Sequence, residues 1–286
     1  MKIGQRDIGR GAPGGAYVIA EIGVNHDGDA ERALTLVDIA ADAGADAVKV
    51  QVFEAERLMS RAARLAAYQE HAGEIDPIAM LRRLELPLVA MARVVDRAHE
   101  RGVHAIATVF SVELVEGAAA LGFDAFKSAS PDIVNRPLLE AMAALGRPLI
   151  VSTGASTLAE VQRAAKWLAP IHDRLALLQC VSAYPTPDES AALGGIEAIA
   201  TAAGLPTGYS DHTPGVDTGA MAVAAGACIL EKHLTYDRNA AGPDHSASLE
   251  GREMRDYIQR ARRASHLEGE ALLRRGSPGL AATAHR

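Results

Sequence analysis

Short apolar runs rich in Val, Ile and Leu recur along the chain, each followed by a longer stretch with helical spacing. The runs are Tyr17–Ile22, Ala47–Phe53, Val103–Val109, Phe123–Ser128, Pro148–Ser152, Leu175–Val181, Leu205–Ser210 and Ala227–Leu234. Between them lie Ala- and Leu-rich segments such as Ala30–Ala43, Leu88–Arg101, Arg136–Leu145 and Leu158–Leu168, which predict helices. A glycine stands ahead of six of the later runs (Gly44, Gly102, Gly122, Gly146, Gly204 and Gly226), where a helix C-cap is expected. Eight alternating β/α units predict an α/β fold of one closed (β/α)8 TIM barrel rather than a doubly wound sheet. The stretch Gly9–Gly15 has no GK[ST] and reads as the turn of an N-terminal β-hairpin that plugs the barrel bottom.

The second connection, 54–87, is the longest. It contains Arg61–Gln69, which reads as a small helix, and it follows a strand, so a lid over the catalytic face is expected. No linker divides the chain, which predicts one barrel domain over residues 1–265. A last helix is expected at about Glu250–Arg263, then a tail over 266–286, disordered at its end.

In such barrels the strand C-termini carry the chemistry. Here they carry Glu21, then Asn25 and His26; Lys49 and Gln51; Thr108 and Ser111; Lys127, Ser128 and Ser130; Ser152 and Thr153; Gln179, Ser182 and Tyr184; Ser210, Asp211 and His212; and Glu231, Lys232 and His233. Alternation turns Lys49 with Gln51, and Glu231 with His233, into the barrel mouth, leaving Lys232 towards the helices. The chain has only five lysines, against 24 arginines, and three of the five fall in this set. Two ammonium groups among several hydroxyls suit a phosphate. His212 and His233 on adjacent strands, with Glu21 or Asp244 nearby, suit a divalent metal with open positions.

Composition narrows the classes. The net charge of −7 leaves no basic footprint for nucleic acid. No signal peptide opens the chain and no apolar run approaches a membrane span, so a cytoplasmic protein is expected. Cys180 and Cys228 lie in apolar runs without CxxC spacing and read as buried reduced thiols.

The motifs Ala20–Gly28 (AEIGVNHDG), Lys49–Phe53 (KVQVF), Ser152–Gly154 (STG), Tyr184–Pro187 (YPTP), Gly208–Thr213 (GYSDHT), Glu231–Thr235 (EKHLT) and Gly242–His245 (GPDH) resemble, in order, those of the sialic acid synthase family. The resemblance spans about residues 16–262. It implies condensation of phosphoenolpyruvate with N-acetylmannosamine or a similar open-chain aldehyde sugar, dependent on Mn2+ or Mg2+. It assigns the metal to His212 and His233, and the phosphoenolpyruvate cradle to Lys49, Thr108, Lys127, Ser130, Ser152, Ser182 and Ser210. It assigns the acceptor to Glu21, Gln51, Tyr184 and Asp244.

Three departures from the family pattern stand out. Asp132 stands where members carry a Glu, so the water-directing carboxylate is one CH2 shorter. Ser182 stands where members carry an Asn. The chain ends too soon to be expected to hold the antifreeze-like C-terminal domain that many members swap across a homodimer. Competing expectations are a Schiff-base aldolase using Lys127 and a non-catalytic sugar-binding barrel.

Overall fold

The apolar runs form strands because a parallel sheet covered on both faces tolerates almost no polar side chain along its length. The computed structural model describes residues 1–58 and 75–268. A two-residue hairpin, β1 (Lys2–Ile3) against β2 (Arg6–Asp7), precedes the barrel strands. These are β3 (Tyr17–Gly23), β4 (Ala47–Val52), β5 (His104–Val109), β6 (Ala125–Ser128), β7 (Leu149–Ser152), β8 (Leu175–Cys180), β9 (Thr207–Asp211) and β10 (Ile229–Thr235). All pair in parallel and in chain order, and β10 closes the ring on β3 and β9. A short strand, β11 (Leu249–Glu250), extends β10.

The expected (β/α)8 barrel is what folds. The six glycines named above all have positive φ, from 67° at Gly204 to 104° at Gly226, a backbone state that favours glycine and turns each helix into the next strand. The helix Ala30–Ala43 starts at Asp29, whose carboxylate accepts from the backbone N–H groups of Glu31 and Arg32.

Alternate strand residues face opposite ways. Val18, Ala20, Val48, Val50 and Val151 point outwards and share a core with the helices. Ile19, Ala47, Ile106, Ala125, Ile150 and Ile229 point inwards and fill the lower barrel, where Ile3 and Ile8 of the N-terminal segment join them. A third apolar cluster, holding Val24, Phe53, Met80, Leu81 and Leu84, lies at the mouth and is built largely by the long second connection.

Two expectations need correction. The hairpin turns at Gly4–Gln5, and the Gly9–Gly15 stretch follows it as a loop, because β2 ends at Asp7. The last helix runs Gly251–Glu268, so the boundary drawn at 265 falls inside it; Met254, Tyr257, Ile258 and Ala261 keep its buried stripe on the barrel. The small helix expected at Arg61–Gln69, and the tail from residue 269, lie outside the described residues.

Candidate active site

A cavity of about 380 Å3 opens at the C-terminal end of the strands. Its lining includes Glu21, Lys49, Gln51, Thr108, Lys127, Ser130, Ser152, Ser182, Tyr184, Ser210, His212, His233 and Asp244, together with Glu231. Thirteen of the fourteen residues to which the resemblance gave a role therefore meet in one place.

Its floor is a buried charge network. Lys49 Nζ lies 2.5 Å from Glu21 Oε2 and donates to Thr108 Oγ1 at 2.7 Å. Lys127 Nζ lies 3.4 Å from Glu231 Oε1, and Lys49 Nζ 3.9 Å from Glu231 Oε2. Ser210 Oγ donates to Glu231 at 2.8 Å, and Gln51 Nε2 donates to Glu21 Oε1 at 2.9 Å.

Burial pushes the Glu231 carboxyl up, but the ammonium groups of Lys127 and Lys49 outweigh it and hold the pKa down at about 2. Glu21 goes the other way: burial raises it against the pull of Lys49. Burial lowers Lys127, whereas at Lys49 the Glu21 and Glu231 carboxylates overcome burial and raise it.

Hydroxyls of Ser130, Ser152, Ser182 and Ser210 line the same cavity. Ser152 Oγ is buried and, among the described residues, has no hydrogen-bond partner. Gly154 lets this wall close: its N–H donates to Ser130 Oγ at 3.1 Å, and a Cβ there would come within 2.7 Å of both the Ser130 and Ser182 hydroxyls.

The two imidazoles stand beside this network, with ring centres 5.5 Å apart. Tyr184 packs on both, at 4.1 Å from His212 and 5.9 Å from His233. His212 Nδ1 donates to the Val181 carbonyl at 2.8 Å, which assigns the proton to Nδ1 and leaves the Nε2 lone pair free. Burial lowers both histidines to about 3, so both rings are neutral near pH 7. Asp244 Oδ2 lies 3.6 Å from His233 Nδ1, and burial, reinforced by the Glu21 charge, raises this carboxyl to about 7. Among the described residues no cluster of three or more His, Cys, Asp or Glu side chains is arranged to hold a metal. His212 and His233 offer two neutral imidazole nitrogens, a type of donor that divalent transition metals accept.

Asp132 does not join them. The chain after Ser130 is a 3-10 turn, Ser130–Val134, in which the residues three apart, Ser130 and Ile133, are the buried ones. Asp132 falls between them, accepts from Asn135 Nδ2 at 3.3 Å and is absent from the cavity lining. Gln179 also faces away: its amide donates to the Ala192 carbonyl at 3.3 Å, and Cys180 takes the inward position. Cys180 is a free buried thiol, as expected, but it lines the cavity 3.8 Å from His212 Nδ1. Burial raises its pKa, which keeps it protonated.

Glu231 is the central residue that the site assignments passed over. Its signal was the alternation that already placed it inward with His233. Lys232 faces the helices as expected, bonded to the Thr213 carbonyl, 3.2 Å from Asp211 Oδ1 and 5.5 Å from the centre of the Tyr257 ring.

Comparisons with known proteins place the chain in a family. The chain is 38% identical, over 89% of its length and 78% of the relative's, to the N,N'-diacetyllegionaminic acid synthase of Campylobacter jejuni. It is 34% identical to the N-acetylneuraminate-9-phosphate synthase of Mus musculus, over 86% of this chain and 69% of that one. Its fold superposes, with a TM-score of 0.86 and 31% identity, on the N-acetylneuraminic acid synthetase of Leptospira borgpetersenii, covering 95% of this chain and 90% of that one. The NeuB family model matches residues 36–272. The barrel, the strand-end cavity and these matches together show that the chain is an enzyme and belongs to the NeuB family, the sialic acid synthase family that its motifs resemble.

Proposed function

We propose that the chain condenses phosphoenolpyruvate with an open-chain sugar or sugar-like aldehyde, giving a 3-deoxy-2-keto acid and phosphate. One observation carries the reading. Two buried lysines and a Ser152 hydroxyl without a hydrogen-bond partner among the described residues share a cavity with two neutral imidazoles, a phosphate-type cradle beside a nitrogen pair suited to a Lewis-acidic cation.

Lys49 and Lys127 offset the donor's negative charge, and Thr108, Ser130, Ser152, Ser182 and Ser210 supply hydroxyls around it. Holding the donor there presents its C3 to an aldehyde on the side of Glu21, Gln51, Tyr184 and Asp244. The C3 carbon attacks the aldehyde carbon, water adds at C2, and phosphate leaves with its bridging oxygen by C–O cleavage. Asp244, with its carboxyl at about 7, is suited to pass a proton to the developing alkoxide near neutral pH. In the present geometry the water-directing role expected of Asp132 has no support, since its carboxyl is turned towards Asn135. His212 and His233 would hold a Mn2+ or Mg2+ ion, which would polarise the aldehyde oxygen.

Among the described residues no helix is long and apolar enough to cross a membrane. The reading places a homodimer in the cytosol, which sedimentation velocity and cell fractionation check.

The deciding experiment is phosphate release from phosphoenolpyruvate with Mn2+ and a panel of aldoses, N-acetylated sugars and other aldehydes. Release is expected with at least one acceptor, and His212→Ala should abolish it while leaving the circular dichroism spectrum intact. Borohydride trapping of pyruvate on Lys127, with no release from phosphoenolpyruvate, would overturn the proposal in favour of a Schiff-base aldolase.

A further inference from the structure

The end of the first motif, Asn25–Gly28, adds nothing to the cavity lining and the last motif, Gly242–His245, adds only Pro243 and Asp244, yet the fold brings them together. Asn25 and Asp27 follow β3, the first barrel strand; His245 and Ser248 follow β10, the last. The side-chain amide of Asn25 donates to the Leu234 carbonyl at 2.9 Å and to Ser248 Oγ at 2.8 Å. Ser248 Oγ in turn donates to the backbone carbonyl of Asp244 at 2.7 Å. One residue further on, His245 Nε2 lies 3.0 Å from Asp27 Oδ1, and His245 Nδ1 lies 2.7 Å from Thr235 Oγ1. The other Asp27 oxygen accepts from Tyr236 Oη at 3.0 Å and from Arg32 at 2.5 Å.

Asn25, His245 and Ser248 are essentially inaccessible to solvent, where each hydrogen bond is costly to lose. Asp27 reaches its position with a φ of 54°, a left-handed state that Asp tolerates better than most residues. Gly242 is pressed against the same contact: a Cβ there would come within 2.7 Å of the His245 ring and 3.3 Å of the Asp27 carboxylate.

We infer that Asn25, Asp27, His245 and Ser248 are positioning residues: a clamp across the seam of the barrel that grips Asp244 through its backbone and its neighbour and holds its carboxyl in the cavity. The clamp leaves the lysine and serine cradle untouched. Its effect therefore falls on the acceptor and on turnover, not on phosphoenolpyruvate. This rests on the acceptor role proposed for Asp244.

The test compares Ser248→Ala, His245→Ala and His245→Gln in the full chain, using the best acceptor from the panel. Each alanine variant should raise the acceptor KM or lower kcat about tenfold, the scale of one hydrogen bond to a charged or buried group. The phosphoenolpyruvate KM should stay within about twofold, well below that scale. His245→Gln retains a donor towards Asp27 and should recover most of the loss.

Equal changes in both KM values, or a loss of thermal stability with unchanged kinetics, would overturn the clamp. If the wild-type chain turns over no acceptor at all, the functional proposal fails, and hydrogen exchange decides the clamp separately. Amides of residues 242–248 should then exchange about tenfold faster in Ser248→Ala and Asp27→Asn, with the strands unchanged. Unchanged exchange at 242–248 would overturn it.

Discussion

The two ends of the barrel are made by the same strands and hold opposite contents. Ile19, Ala47, Ile106, Ala125, Ile150 and Ile229 fill the lower interior. Two residues further along each strand stand Glu21, Lys49, Thr108, Lys127, Ser152 and Glu231, all in the cavity. Two residues are about 6.6 Å of strand at ~3.3 Å per residue. Over that distance the interior changes from a packed apolar plug to a layer of four charges and two hydroxyls. The side-chain period of two keeps both layers on one face, so a strand specifies plug and site with a single alternation. Of these two layers, the lower one is where apolar side chains are buried and burial stabilises the fold. The upper layer carries mutually paired charges, which on the proposed function receive an anion and an aldehyde.

The largest test of this division is Ile150→Ala against Ser152→Ala on β7. Removing the buried Ile150 side chain should cost about 2–5 kcal/mol of unfolding free energy and leave kcat near wild type. Denaturant unfolding and steady-state kinetics would read the two effects. A large fall in kcat at matched folded fraction would show that the plug also tunes the site. If the alanine variant fails to fold, Ile150→Val, costing about 1 kcal/mol, asks the same question.

Ser152→Ala should behave in the opposite sense. Its hydroxyl is buried with no partner among the described residues, so removal should relieve about 1–3 kcal/mol of desolvation penalty and raise the melting temperature. The same change should weaken phosphoenolpyruvate binding about tenfold, measured by calorimetry. A lower melting temperature with unchanged binding would place Ser152 among the structural residues.

How much of this was legible follows from the same geometry. Plug and site share a period-two pattern, so the eight strands, the inward Lys49 and Gln51 and the outward Lys232 could all be read from order and alternation. The places where reading failed are those where local backbone geometry decides. Asp132 was placed by the family pattern, in which a Glu stands at that position, but a 3-10 turn spends three residues per revolution and leaves it off the buried stripe. Gln179 was taken as a strand-end polar group, although one residue of register put Cys180 inside instead. The hairpin was assigned to the conspicuous glycines at 9–15, while a two-residue turn at Gly4–Gln5 makes it. The seam between Asn25–Asp27 and His245–Ser248 joins positions more than 200 residues apart, and short-range pattern carries no trace of such a pairing.

The smallest expected effect concerns how the charges of the upper layer share their protons. Lys127 and Lys49 hold the Glu231 carboxyl at about 2, below an ordinary value of 4.5. A depressed carboxylate stabilises the fold above its unfolded pKa and loses that contribution as the pH falls through its folded pKa. Glu231 therefore adds to the acid lability of the fold between about pH 4.5 and 2, and Glu231→Gln should show a shallower loss of stability across that window. Glu21 is shifted upwards by burial, so its linkage has the opposite sign. Its contribution is present below pH 4.5 and fades as the pH rises through the raised value, so Glu21→Gln should flatten that higher window instead. Urea midpoints measured across pH would separate the two. Identical profiles in both variants and wild type would mean that solvent, rather than the lysines at Glu231 and burial at Glu21, sets these carboxyls, and the upper layer would then be far wetter than the plug beneath it.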